Sequence, residues 1–261
     1  MEKIALPKKI EVKQDAKSND GLIIVEPLFP GYGNTVGNAL RRVLLSSLSG
    51  SAVVGVKIKG VKHEFMALSG VKEDVIDIVL NLKELKLKIL SEIEEPIKLE
   101  LNVQGKKQVT AKDIKKNSQV EISNPDLVLA NISDATGNLS MDIYVDKGMG
   151  YSLVDKSKEI KEVDYIEVDP IFSPILGVNY NVENIRVGKM TNWDKLVLEV
   201  KTDGTVTVEE AFNRSAKILV EQFSALSPKE EVEVKVSKTK KTKKEADKTE
   251  EVDDNVDDKK E

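Results

Sequence analysis

The 261-residue chain is 40% hydrophobic and sets 40 Lys and Arg against 45 Asp and Glu, a formal charge of -5, so it can build a core and shows no overall basic attraction to nucleic acid, although a local patch could still bind it. It contains no cysteine, which excludes disulfides, thiolate zinc sites and a cysteine nucleophile and fits a reducing compartment. No run approaches the roughly 18 to 20 consecutive apolar residues of a membrane span, and the opening MEKIALPKKIEVKQD lacks the apolar stretch of a signal peptide, so a globular cytoplasmic protein is expected, with no membrane partner.

Weak alternation at Ile10 and Val12, then GLIIVEPLF, reads as strands that Pro27, Pro30 and Gly31 break. Thr35 is an N-cap candidate for a helix whose apolar residues recur at Val36, Leu40, Val43, Leu44 and Leu48 before Gly50. Period two follows at Val54, Val56 and Ile58, later at Leu85, Leu87 and Ile89, and again at Ile97, Leu99, Leu101 and Val103. Between the first two runs, Val71, Val75, Ile78, Val79 and Leu82 form a helical stripe.

Short strands are predicted over 126–132 and 139–145, with 146–165 a polar loop. A strand is expected near Val178 to Val182, and KLVLEVK alternates before the Asp203-Gly204 turn. A second long helix then starts at a capping box, Thr207 to Glu210, and carries Val208, Phe212, Ser215, Leu219, Phe223 and Leu226 on one face until Pro228. Residues 229–261 hold 22 charged side chains among 33, too little apolar surface to offset the entropy of folding, and are expected to form a disordered charged tail. No repeat is visible.

Few motifs suggest chemistry. Gly31-Tyr-Gly33 lies between a strand and a helix, where a backbone can approach a phosphate, so a nucleotide-binding oxidoreductase is the alternative reading. The dinucleotide fingerprint nevertheless wants a third glycine at Val36 and an acid where Lys57, Lys59 and Gly60 stand. A tight turn into a helix fits better. His63 is the one histidine, with no nucleophile nearby in sequence and no cysteines to complete a zinc site. Asp164, Glu167 and Asp169 could hold a cation or simply form a solvated strand face, and Gly148-Met-Gly150-Tyr151 could be an anion nest or a sharp turn. Arg41 and Arg42, adjacent on a helix, differ in azimuth by about 100 degrees.

Taken together, EPLFPGYGNTVGNALRRVLLSSLSG, GVKHEF, GVKEDVIDIVLNLKEL, the Gly148 to Tyr151 turn, NYNVENIRVGKMTNWDKLVLEVKTDGT and EEAFNRSAKILVEQF resemble, in order across residues 20–226, the N-terminal region of the bacterial RNA polymerase α subunit. The resemblance implies an α+β fold with a discontinuous dimerisation subdomain (1–49 and 175–228) and an inserted strand-rich subdomain (50–174). It implies a homodimeric, non-catalytic scaffold for β and β′, joined by ω and sigma in the assembled nucleotidyltransferase. Arg42 and Leu45 inherit the β contact, Arg41 less directly, and Asp77 and Lys83 inherit the β′ contact. Tyr32, Val36, Val43, Leu219 and Phe223 are candidates for the dimer interface.

No cofactor or metal is expected in this chain, since the family's magnesium belongs to β′, and DNA is expected to be met only through the assembled, nucleoid-associated enzyme. Two departures are small: Asn34 stands where some members carry histidine, and Trp193 replaces a smaller or phenolic residue. At the end the charged stretch stands where the family usually adds a helical DNA-binding domain, so upstream promoter recognition by such a domain is not expected.

Overall fold

The computed structural model describes residues 4–14, 19–151 and 164–226. The charged tail expected beyond Pro228, and most of the polar loop expected before residue 165, lie outside the described residues.

The fold is α+β. A four-stranded antiparallel sheet has the order β1 (Lys9–Gln14), β2 (Asp20–Leu28), β12 (Met190–Thr202), β11 (Ile175–Val187). On it pack α1 (Tyr32–Ser46) and α3 (Val208–Leu226). In-phase residues of β2 and β12 (Ile23, Val25, Leu196, Leu198 and Val200) meet Leu40 and Leu44 of α1 and Val208, Ala211 and Phe212 of α3 in one core. The two ends of the chain therefore share a single apolar interior.

A second core occupies the middle of the chain. It is framed by a sheet of order β10 (Ile166–Glu167), β3 (Ser49–Ile58), β9 (Asn138–Met149), β5 (Ile97–Gln104). Two-stranded ladders add β4 (Leu87–Ile89) with β7 (Val120–Ile122), and β6 (Lys107–Thr110) with β8 (Val128–Ile132). Helix α2 (Val75–Lys83) buries Val75, Ile78, Val79 and Leu82 against them. Residues of β5 and β9 that alternate toward the helix, such as Leu99, Leu101, Leu139, Met141 and Ile143, are buried in the same core, the period-two pattern of a sheet with one face covered.

Several local expectations are corrected. Helix α1 begins at Tyr32, three residues before Thr35, because Gly31 takes a left-handed conformation (φ 86°) that ends the preceding chain and a remote carboxylate caps the helix. Helix α2 begins at Val75; Val71 lies outside it and forms a bridge to Ile132. The capping box of α3 is half formed: Thr207 Oγ1 accepts from the Glu210 N–H at 3.2 Å, whereas the Glu210 carboxylate turns to Arg214 one turn on. Gln14 Oε1 instead receives the Val208 N–H, at 3.2 Å. Strand β9 extends to Met149, into the segment expected to be a loop, while β11 and β12 each run 13 residues.

Candidate subunit-contact faces

Two glycines set the position of α1. A Cβ at Gly33 would lie 2.6 Å from Val182 Cγ1, and one at Gly37 would lie 2.8 Å from both Leu196 and Tyr180, so the bare backbone lets the helix sink onto the β11–β12 hairpin. Where the helix starts, the buried Asp194 accepts hydrogen bonds through Oδ2 from the N–H groups of Gly31 and Gly33, both at 2.9 Å. The first turn of a helix has free donors and a partial positive charge, and this carboxylate answers both. It also fills the place that a nucleotide phosphate would need, and its negative charge repels one. The oxidoreductase alternative fails there.

Helical geometry then sorts the side chains of α1. At about 100 degrees per residue, Gly33, Gly37, Leu40 and Leu44 share one side, and all four are buried. Arg41, Leu45 and Arg42 fan across one flank and the back. Arg41 is drawn down to β11, where its Nε donates to the Val178 carbonyl at 3.2 Å. Arg42 is exposed and has no ion pair or side-chain hydrogen bond with any described residue. Leu45 is also exposed. Tyr32, Val36 and Val43 lie within about 40 degrees of one another on the other flank. Val36 packs partly on the molecule's own core, Val43 is half-buried, and Tyr32 stays open with its ring edge-on to Phe29 at 6.0 Å.

Helix α3 outruns its core. Its first two turns hold its buried residues, Val208, Ala211, Phe212 and Ser215; Ile218 and Leu219 are half-buried, and every residue from Val220 to Leu226 is exposed. That exposed end carries Val220 (64% exposed), Phe223 (61%) and Leu226 (80%). With Leu219 they occupy a side about 120 degrees wide, while Arg214, Lys217 and Glu221 lie on the opposite flank.

Helix α2 also leaves apolar residues open. Ile76 and Leu80, one turn apart, are exposed beside Asp77 and Lys83. The approach to this helix is fixed by Glu73, whose carboxylate accepts from the Asn131 N–H and Nδ2, both at 2.7 Å. Burial raises the affinity of the Glu73 carboxyl for its proton, but the two bonds from Asn131, with Lys72 nearby, outweigh burial and hold it below the ordinary glutamate value.

The other candidates resolve as structure. His63 is an exposed loop residue. Among the described residues no set of three His, Cys, Asp or Glu could hold a metal ion, and no helix is long and apolar enough to cross a membrane. In the Gly148 to Tyr151 segment, Gly148 and Met149 close β9 and the chain turns at Gly150, which has φ 66° and whose carbonyl accepts from the Phe172 N–H at 2.8 Å. Asp194 was missed in the sequence reading, yet it stands in phase with Leu196, Leu198 and Val200, and an acid on an inward stripe is the signal that finds it. Ile76 and Leu80 were readable in the same way, as apolar residues out of phase with the buried stripe of α2.

The family description "RNA polymerase Rpb3/RpoA insert domain" matches residues 56–173, the stretch that builds nearly all of the second core. The DNA-directed RNA polymerase subunit alpha of Desulforamulus reducens is 51% identical over 217 residues, covering 82% of this chain and 68% of the relative. The chain belongs to the RNA polymerase α subunit family. The subunits of the same name from Oceanobacillus iheyensis (46% identical over 225 residues, 86% of this chain and 71% of the relative) and Symbiobacterium thermophilum (51% over 217 residues, 82% and 68%) agree. In an α subunit, side chains that leave the core at Arg42, Leu45, Phe223, Ile76 and Leu80 are candidates for contact with other polymerase subunits.

Proposed function

We propose that this α subunit is a non-catalytic, cytoplasmic scaffold that forms a symmetric homodimer, captures β and then admits β′, with ω and sigma joining later and the polymerising magnesium held by β′. Residues 1–49 and 175–228 serve as the dimerisation subdomain and 50–174 as the insert. The observation that carries this reading is the end of α3, whose bulky apolar side chains are too exposed for a helix meant to stand alone in water. A second copy covers them by a two-fold arrangement in which Leu219 and Phe223 meet the flank of α1 bearing Tyr32, Val36 and Val43. Each large apolar side chain so buried contributes roughly 1.5 to 3 kcal/mol.

Arg42 and Leu45 lie off that flank and form the β contact, with Arg41 holding β11 in place beside them. Asp77 and Lys83 flank the apolar pair on α2 as the β′ contact. DNA is met through the assembled, nucleoid-associated polymerase. Light scattering on the full chain tests the dimer: a dimer at micromolar concentration that Phe223→Asp converts to a folded monomer is expected, and a monomeric wild type would overturn the reading. Capture of purified β tests the second face. Truncating Arg42 to Ala should weaken it by about 2 to 5 kcal/mol, as expected for one partner of a desolvated charged contact.

A further inference from the structure

The ladder between β3 and β9 joins the two cores. Its pairing runs past Val53–Val145, in the second core, through Ser51–Lys147 and Gly50–Gly148 to Ser49–Met149, and Ser49 is three residues beyond the end of α1. This junction is tightly built: a Cβ at Gly50 would be 1.9 Å from the Phe172 carbonyl oxygen, and one at Gly148 would be 2.5 Å from the Phe172 ring. Beside it stand β4, from the second core, and the middle of α3, from the first. Between these elements opens a cleft of about 450 Å³.

Four cations line the cleft: Lys88 from β4, Lys147 from β9, and Arg214 and Lys217 from α3. Only two carboxylates pair with them. Glu210, which does not itself line the cleft, is bound to Arg214 and lies 4.0 Å from Lys88, so one acid serves a cation from each core. Glu221 lies 4.0 Å from Lys217 one turn along α3, with both side chains largely open to water, and a pair of that kind neutralises little. Lys147 Nζ donates to an uncharged acceptor, the Ser91 carbonyl, at 2.7 Å. The Asp203 carboxylate is taken up by the N–H and hydroxyl of Thr205, at 2.9 and 2.6 Å. Positive charge is therefore in excess inside a recess whose walls focus its field. Hydroxyl donors are in excess as well. Ser51 Oγ accepts from the Ile89 N–H at 3.3 Å and keeps its own proton free, and neither it nor the Ser49 hydroxyl donates to a described residue.

Ammonium, guanidinium and hydroxyl donors around one recess, with too few acids to satisfy them, fit a ligand rich in anionic oxygens, which is the chemistry of phosphate. A single phosphate would leave most of the volume unfilled, whereas two linked phosphates can meet cations that come from separate chain segments. We propose that this cleft binds the diphosphate group of a small anion, with Lys88, Lys147, Arg214 and Lys217 on its oxygens and the Ser49 and Ser51 hydroxyls beside them. The group comes either as inorganic pyrophosphate or as the end of a nucleoside diphosphate, whose base would rest on the apolar wall at Leu48 and Ile218. The bound anion ties α3 to β4 and β9 and so links the two cores. Arg214 and Lys217 lie on the flank of α3 opposite Leu219 and Phe223, so the cleft stays open in the proposed dimer.

Titration calorimetry on the full chain tests the site, with pyrophosphate, adenosine diphosphate and sulfate as probes at one ionic strength. Saturable binding of a diphosphate, with one site per chain, is expected. Equal affinity for the two diphosphates assigns the site to the diphosphate group alone, and tighter binding of the nucleotide adds the apolar wall; either result supports the proposal. Lys88→Gln and Lys217→Gln, combined in one chain, should weaken binding about tenfold or more, the scale of lost charge-assisted hydrogen bonds. Lys112→Gln with Lys115→Gln makes the same change of charge away from the cleft and should leave binding intact. Thermal unfolding without ligand verifies that each variant folds, and Lys147→Gln, at an exposed position, repeats the test with a single change. Saturating pyrophosphate should also raise the Tm of the wild type and not that of the cleft variant. The proposal is overturned if neither diphosphate binds saturably at millimolar concentration, if sulfate binds as well as they do, or if both double variants lose affinity equally.

Discussion

Removing the Asp194 carboxylate isolates the contribution of a cap that comes from a strand and not from the helix it serves. The Gly33 N–H is buried and would be left without a partner in Asp194→Ala, whereas Gly31 is exposed and can turn to water. A bond to a charged acceptor contributes about 1.5 to 3 kcal/mol, and a rehydrated donor loses roughly 0.5 to 1. The sum is a destabilisation of about 2 to 4 kcal/mol. Asp194→Asn keeps an oxygen that can accept both bonds and loses mainly the attraction between a negative charge and the helix N-terminus, about 0.3 to 1 kcal/mol. Urea unfolding followed by circular dichroism, at one fixed protein concentration because any self-association would shift the apparent stability, separates the two variants. If Asp194→Ala lost less than about 0.5 kcal/mol, or no more than Asp194→Asn, the two N–H groups would not depend on this carboxylate and the account of how α1 is launched would be wrong.

Further outcomes follow from the glycine contacts and from Glu73. Gly50→Ala should destabilise more than Gly148→Ala, because the first drives a methyl into a backbone carbonyl and the second into a ring that can tilt; overpacking of the second kind costs about 1 to 3 kcal/mol, and the order of the urea midpoints checks the ranking. The depressed titration of Glu73 gives a pH signature. Its folded-state carboxyl holds a proton less readily than the unfolded one, so the stabilisation is present above the ordinary glutamate value and is lost as pH falls through the lower folded-state value. The stability difference between wild type and Glu73→Gln should therefore shrink in acid, and a difference that grows with acidification would contradict the role of Asn131.

Much of the fold was legible because burial imposes its period on the sequence. The stripes at Val75, Ile78, Val79 and Leu82, and at Leu99 and Leu101, are the residues that the structure buries. Boundaries were less legible, because they are decided by groups distant in sequence. Thr35 looked like a cap by local chemistry, but the cap that operates is Asp194, more than 150 residues away. Likewise Glu210 was free to complete a local capping box and pairs with Arg214 instead. In the two-stranded ladders, β4 and β8 fall within strands expected from the sequence, whereas their partners β7 and β6, of three and four residues, are too short for an alternating pattern to stand out. Of the candidate contact residues, the resemblance supplied the positions and the structure supplies the difference between them: Arg41 is tied to β11 and Arg42 is left open, which no spacing rule could separate.

The two faces that the proposed scaffold assigns to α1 follow from the way the helix is seated. Gly33 and Gly37 bring one side so close to the hairpin that four residues can be buried along a single narrow line, leaving most of the circumference available. The flank with Tyr32, Val36 and Val43 and the back with Arg42 and Leu45 are separated by the helix's own geometry. Because the helix cannot roll without breaking the Asp194 bonds at its start and the Arg41 bond to Val178 along its length, the angle between the two faces is fixed before any partner arrives. In the proposed scaffold, a dimer built on one flank would present the other already oriented, and the conformational cost of capturing β would be met largely when the subunit folds.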